Sequence, residues 1–216
     1  MKCFDNEEPK IIYCDNHVLV ALKPAGWLTQ PDGGDRPSLE EFCKEWVKKE
    51  YHKPGAVFLH AIHRLDRPVL GLVLFARTSK ALSRLNVAVR SQDIQRTYAA
   101  EVEGIPQEKM GRLEHFLIHE EHRAVVSDRG EPAAKRAVLT YEVKEIKERT
   151  TSLTIYLETG RYHQIRAQLA AIGHPIVGDR KYGAKSGNGE KICLYCIELV
   201  FTHPVTKERL TFNMPI

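Results

Sequence analysis

The run Val69 to Ala76, VLGLVLFA, is strongly apolar and stops abruptly at Arg77. It is far shorter than the roughly 18 residues that can span a bilayer, so it reads as a strand buried in a protein core. Directly before it stands HRLDRP, which places one carboxylate, Asp66, among His63, Arg64 and Arg67. A carboxylate flanked by cations stays ionised at neutral pH, and a buried strand that follows at once fixes its position. Two readings fit this local pattern: a surface ion-pair cluster beside a strand, or a loop that holds a reactive anion.

The remaining segments predict an α+β chain with a mixed, largely antiparallel sheet. IIYCDNHVLVALKPAG reads as two short strands about Asp15-Asn16, closed by Pro24-Ala25-Gly26. Ser38, with Glu41 three residues on, forms a capping box, and Leu39, Phe42 and Trp46 fall on one face of the helix that follows. A second helix starts at Ser79, with Leu82, Leu85 and Val89 inward. Alternation over Thr97 to Glu103 sets Tyr98, Ala100 and Val102 on the apolar face of a strand. Residues 111–146 read as successive strands with a turn at Asp128-Arg129-Gly130-Glu131-Pro132, and Leu153, Ile155 and Leu157 mark another strand. A third helix carries Ile165, Leu169 and Ile172 inward and stops at Gly173, ahead of Pro175. A final strand pair closes the chain. With 216 residues and no linker or repeat, a single domain over 1–216 is expected.

Charge is unevenly distributed. The net charge is only +4, yet residues 63–98 carry seven Arg or Lys against Asp66 and Asp93, and residues 161–191 carry six against Asp179 and Glu190. Two basic segments around a candidate site point to a polyanion such as RNA. No apolar run is long enough for a membrane span, and the N-terminal MKCFDNEEPK lacks the apolar core of a signal peptide, so a cytoplasmic protein with no membrane partner is expected. Five scattered cysteines, an odd number, read as reduced thiols.

Five segments stand in order along the chain: DNHVLVALKPAG, HRLDRPVLG, RTYAAEVEG, TGRYHQIRAQLAAIGHPIVGD and FTHPVT. Together they resemble the RluA-like family of RNA pseudouridine synthases. The resemblance implies an α+β catalytic domain and isomerisation of selected uridines to pseudouridine in ribosomal or transfer RNA. It assigns the catalytic carboxylate to Asp66, the ring that stacks on the target base to Tyr98, and the counterion of the aspartate to Arg161. Arg64 resembles the residue that enters the RNA and helps expel the nucleotide, a step required because the reacting faces are hidden in a stack. Arg67, Lys23, Arg166, Lys181 and Tyr182 are further candidates for RNA contact. The reaction involves no redox step and loses no group, so no cofactor and no metal are expected, and the enzyme is expected to act as a monomer.

The chain departs from the family pattern at three points. Leu70 stands where Ser or Thr usually precedes the glycine of the HRLD segment, Leu194-Tyr195-Cys196 replaces LHA, and nothing precedes the first strand that would form the small RNA-binding domain of many relatives. Leu70 favours the alternative of a catalytically inactive RNA-binding protein or RNA chaperone. Other signals carry less. HRLD without a GxGxxG loop, a VAIK-like lysine or DFG is no kinase motif, and Gly183 to Lys191 does not match GxxxxGK[ST]. His115, His119 and His122, like Cys193 and Cys196, lie in apparent strands that turn their members to opposite faces, which argues against zinc.

Overall fold

Period-two alternation and short connections make hairpins, and the computed structural model, which describes residues 8–127, 131–187 and 191–215, is built largely from them. Of the described residues, those up to Arg96 together with those from Cys196 onward form one compact unit, the terminal unit. Thr97–Tyr195 form the other, the central unit.

In the terminal unit, β1 (Lys10–Cys14) pairs antiparallel with β2 (Val18–Lys23), and β2 with β4 (Leu70–Ala76). The two-residue β3 (His60–Ala61) also pairs with β4, and β10 (Leu194–Thr202) pairs antiparallel with β11 (Arg209–Asn213). Every residue of β2 and β4 is buried, including Lys23 at the end of the otherwise apolar β2, and each Leu or Val so placed contributes about 1.5–3 kcal/mol. At Gly71 (φ +152°) a Cβ would lie 2.6 Å from the Cβ and backbone nitrogen of Cys196, so β4 admits only glycine opposite the Leu-Tyr-Cys segment.

Helix α1 (Leu39–Glu50) lies on β2, and α2 (Ser79–Arg90) lies on β4. Ser38 caps α1 as expected: its hydroxyl accepts the Glu41 N–H and donates to the Glu41 carboxylate. The buried face, however, is Leu39, Glu40, Cys43 and Val47, and Phe42 and Trp46 are only half-buried. Helix α2 starts at Ser79 as expected, capped by Thr78, and Ala81 and Leu85 are buried while Val89 is exposed. In both helices the fully buried positions include a small side chain, Cys43 or Ala81.

The central unit is an antiparallel array in the order β5-β9-β8-β6-β7. Its strands are β5 (Gln95–Glu103), β6 (Met110–Glu120), β7 (Arg123–Ser127), β8 (Lys135–Ile146) and β9 (Thr150–Leu157). The expected turn after β7 falls partly on 128–130, outside the described residues. Helix α3 (Gln164–Ala171) ends as expected at Gly173 (φ +83°), and Gln164 through Leu169 are all buried. It packs on β6, β7 and a 3-10 turn, Arg180–Tyr182. Cys14, Cys43 and Cys196 are not disulfide-bonded, whereas Cys193 is in a disulfide, so the expectation of reduced thiols fails at that position.

Candidate active site

The segment between β3 and β4 carries Asp66 and forms no helix or strand, yet its backbone is held at successive residues. The Thr29 hydroxyl accepts the Leu65 N–H at 3.0 Å and donates to the Leu65 carbonyl at 3.1 Å. The Arg67 carbonyl accepts the Gly26 N–H at 2.8 Å and the Lys23 ammonium at 3.2 Å, and the Asp66 carbonyl accepts the Val69 N–H at 3.0 Å. Leu65 is buried, Asp66 is half-buried, and Arg64 and Arg67 on either side are exposed. The arrangement is a carboxylate on a fixed backbone between two solvent-facing guanidinium groups.

Lys23 is 0% exposed, which corrects its expected role as a phosphate contact. Its three ammonium protons go to the carbonyls of Pro24 (2.9 Å), Trp27 (2.8 Å) and Arg67. Burial pulls its pKa down to about 7, against the upward pull of the nearby Asp66 charge. Lys23 thus ties the KPAG turn to the HRLD loop from inside. His63 is a second interior member of the loop. Its Nε2 accepts the Leu74 N–H at 3.3 Å, and burial, with Arg96, holds its pKa down at about 3, so the ring is neutral.

In the central unit, Tyr98 is 4% exposed and sits opposite Ile155 in the β5–β9 register, on the face the alternation assigned to it. Arg161 is exposed at the entry to α3, and its Nε donates to the Arg136 carbonyl at 3.1 Å. The side chain of Gln164 fixes its backbone. Gln164 Oε1 accepts the Arg161 N–H (2.9 Å) and the Thr159 hydroxyl (2.8 Å), while Nε2 donates to the Val138 carbonyl (3.0 Å). His163, between them, takes left-handed φ +50°.

Arg166, like Lys23, is not the solvent-facing cation that a phosphate contact needs. Arg166 is 4% exposed and grips Asp179 with two hydrogen bonds, at 2.7 and 2.8 Å. Tyr182 lies 5.0 Å beneath that guanidinium, accepts the Ala124 N–H at 2.8 Å and meets His163 Nδ1 at 2.9 Å. The Arg166–Asp179 pair is interior, and the half-buried Tyr182 packs against it. Lys181 is exposed, and its ammonium donates to the His122 carbonyl at 3.0 Å. One unit therefore gathers Asp66, Arg64, Arg67 and Lys23, and the other Tyr98, Arg161, Arg166, Lys181 and Tyr182. Thr29, His63 and Gln164 were missed as positioning residues. His63, inside the HRLD segment, and Gln164, inside the HQIR segment, carried a signal, whereas Thr29 carried none. Among the described residues no group of three or more His, Cys, Asp or Glu is disposed to hold a metal, and no helix is long and apolar enough to cross a membrane.

Comparison with known proteins bears on the whole constellation. The family model described as RNA pseudouridylate synthase matches residues 17–171. The chain is 32% identical over 212 residues to the dual-specificity RNA pseudouridine synthase RluA of Pasteurella multocida, covering 95% of this chain and 92% of that one. It is also 32% identical over 206 residues to the RluA of Haemophilus influenzae, covering 94% and 91%. The structure of human RNA pseudouridylate synthase domain containing 4 superposes with a TM-score of 0.80 at 19% identity, covering 95% of this chain and 88% of that one, which speaks for the fold. By sequence and fold alike, the chain belongs to the RNA pseudouridylate synthase family, among its RluA-like members.

Proposed function

We propose that the chain converts selected uridines of ribosomal or transfer RNA into pseudouridine, acting as a cytoplasmic monomer without a cofactor. Asp66 is the catalytic carboxylate, Tyr98 stacks on the target base, and Arg161 is the counterion of Asp66. Arg64 enters the RNA where the nucleotide is expelled, and Arg67 and Lys181 contact phosphates. The observation that carries this reading is the hold on the backbone at Leu65, Asp66 and Arg67, which fixes the carboxylate while Arg64 and Arg67 stay open to solvent.

The reaction breaks the bond from ribose C1′ to uracil N1, turns the base while it stays bound, and joins C1′ to C5. The proton leaves C5 and N1 gains one, so the base is conserved. A carboxylate beside C1′ and C6 serves as nucleophile, or as base in a glycal-type route. A ring on the apolar face of a strand offers a flat partner for the base, and a guanidinium keeps a desolvated carboxylate charged.

RNA tritiated at uracil C5 should lose tritium to water in the presence of this chain. Asp66→Asn should abolish that release while RNA affinity changes less than about threefold. Release that persists in a clean Asp66→Asn preparation overturns the assignment. RNA binding by wild type without any release from total cellular RNA identifies an inactive RNA-binding protein instead.

A further inference from the structure

The turn between β6 and β7 borders an open cleft of about 590 Å³, lined by Glu120, Glu121, His122, Arg123 and Lys181. All of it lies in the central unit, and most of its residues play no part in the chemistry proposed above. Two contacts fix the turn. The Tyr162 hydroxyl donates to the His122 carbonyl at 3.3 Å, and Lys181 donates to the same oxygen. A column of three rings stands beside it. His163 stacks on Tyr162 with centroids 3.8 Å apart at 17°, and Tyr162 meets His119 at 4.2 Å and 44°. The inner ring, His163, is 8% exposed and hydrogen-bonded to Tyr182, so the column is anchored in the core. Its outer ring, His119, is exposed.

The geometry points to a second RNA subsite here, one that takes an unstacked nucleotide of the substrate RNA; it rests on the reading of the chain as an RNA-modifying enzyme. The argument is complementarity of three kinds. A flat ring backed by two others offers a stacking surface for a base, and stacking of this sort tolerates any base because each has a π face. The cations Lys181 and Arg123 stand at the cleft for the phosphate. The carboxylates of Glu120 and Glu121 accept hydrogen bonds from a base N–H or a 2′-hydroxyl, donors that a bare anion lacks. With two positive and two negative side chains, the lining suits a nucleotide better than a simple anion. Because the turn and the column are already tied down, little ordering is left to oppose binding.

The test uses a mixed-sequence, single-stranded RNA of ten nucleotides and the full chain. Histidine ring resonances are recorded by NMR, with His119 assigned by comparison with His119→Ala. RNA should shift the His119 ring protons through the ring current of the stacked base, and His119→Ala should weaken binding about tenfold. Lys181→Met should lower the dependence of log affinity on log salt by about one ion. Unmoved His119 resonances or unchanged affinity of His119→Ala overturns the subsite. Tritium release is measured in parallel: its absence in wild type defeats the proposed function, whereas its presence with a silent His119 defeats only the subsite.

Discussion

Arg166 holds Asp179 through two parallel hydrogen bonds, 2.7 and 2.8 Å long, with the pair 4% and 1% exposed. Removing one partner strands a buried charge, which costs about 3–5 kcal/mol. Asp179→Asn and Arg166→Met should each lose stability on that scale in urea unfolding. The double substitution should recover part of the loss. Equal stability of wild type and both single variants would contradict the pairing.

Thr29 restrains the residue before Asp66 with both hydrogen-bonding functions of its hydroxyl. Thr29→Val keeps the shape but leaves a buried N–H and C=O unmet, a loss of about 1–3 kcal/mol. Turnover in the tritium assay should fall at least tenfold with RNA affinity nearly unchanged, and Thr29→Ser should restore most of it. A valine variant as active as wild type would show that the loop keeps its place without this contact.

Lys23 has a folded pKa of about 7, well below its unfolded value of about 10.4. Between these limits the unfolded chain binds the extra proton, so stability rises with pH across that window. Relative to Lys23→Met, the wild type should gain stability from pH 7 to pH 10 and show a flat difference below pH 6. Denaturant midpoints at five pH values provide the measurement. A difference independent of pH would mean that the ammonium is not held as described.

His63 and His163 have folded pKa values pulled down to about 3, chiefly by burial. Their unfolded values lie near 6.5, so between about pH 6.5 and 3 the unfolded state binds more protons and stability falls as pH falls. Each ring contributes a slope of at most about 1.4 kcal/mol per pH unit. Urea unfolding from pH 7.5 to 4 should show the decline, and His63→Gln with His163→Gln should flatten it.

Much of the fold was legible because burial writes itself into periodicity. The all-apolar β4, the alternating β5 and the Ser38 capping box each need one kind of residue at one spacing. The helix faces were less legible: sequence ranks Phe42 and Trp46 as inward by size, whereas the fully buried residues are the smaller Cys43 and Val47 beside Leu39 and Glu40. At the site the pattern failed for charged residues. Lys23 and Arg166 read as surface cations because nothing local reveals three converging carbonyls or an aspartate 13 residues away. Thr29 gave no signal, since its partner Leu65 lies 36 residues on in the chain. Gly71 was legible only as a letter of a motif. Its reason is the backbone of Cys196.

The contacts described for Leu65, Asp66 and Arg67 are made by main-chain atoms of the loop, and Asp66→Asn leaves each of those atoms in place. Under the proposed mechanism Asp66→Asn becomes a bait: a protein that binds its RNA but cannot release it as product. Recovering the RNA bound to such a protein from living cells, and reading its sequence, would name the substrate by capture.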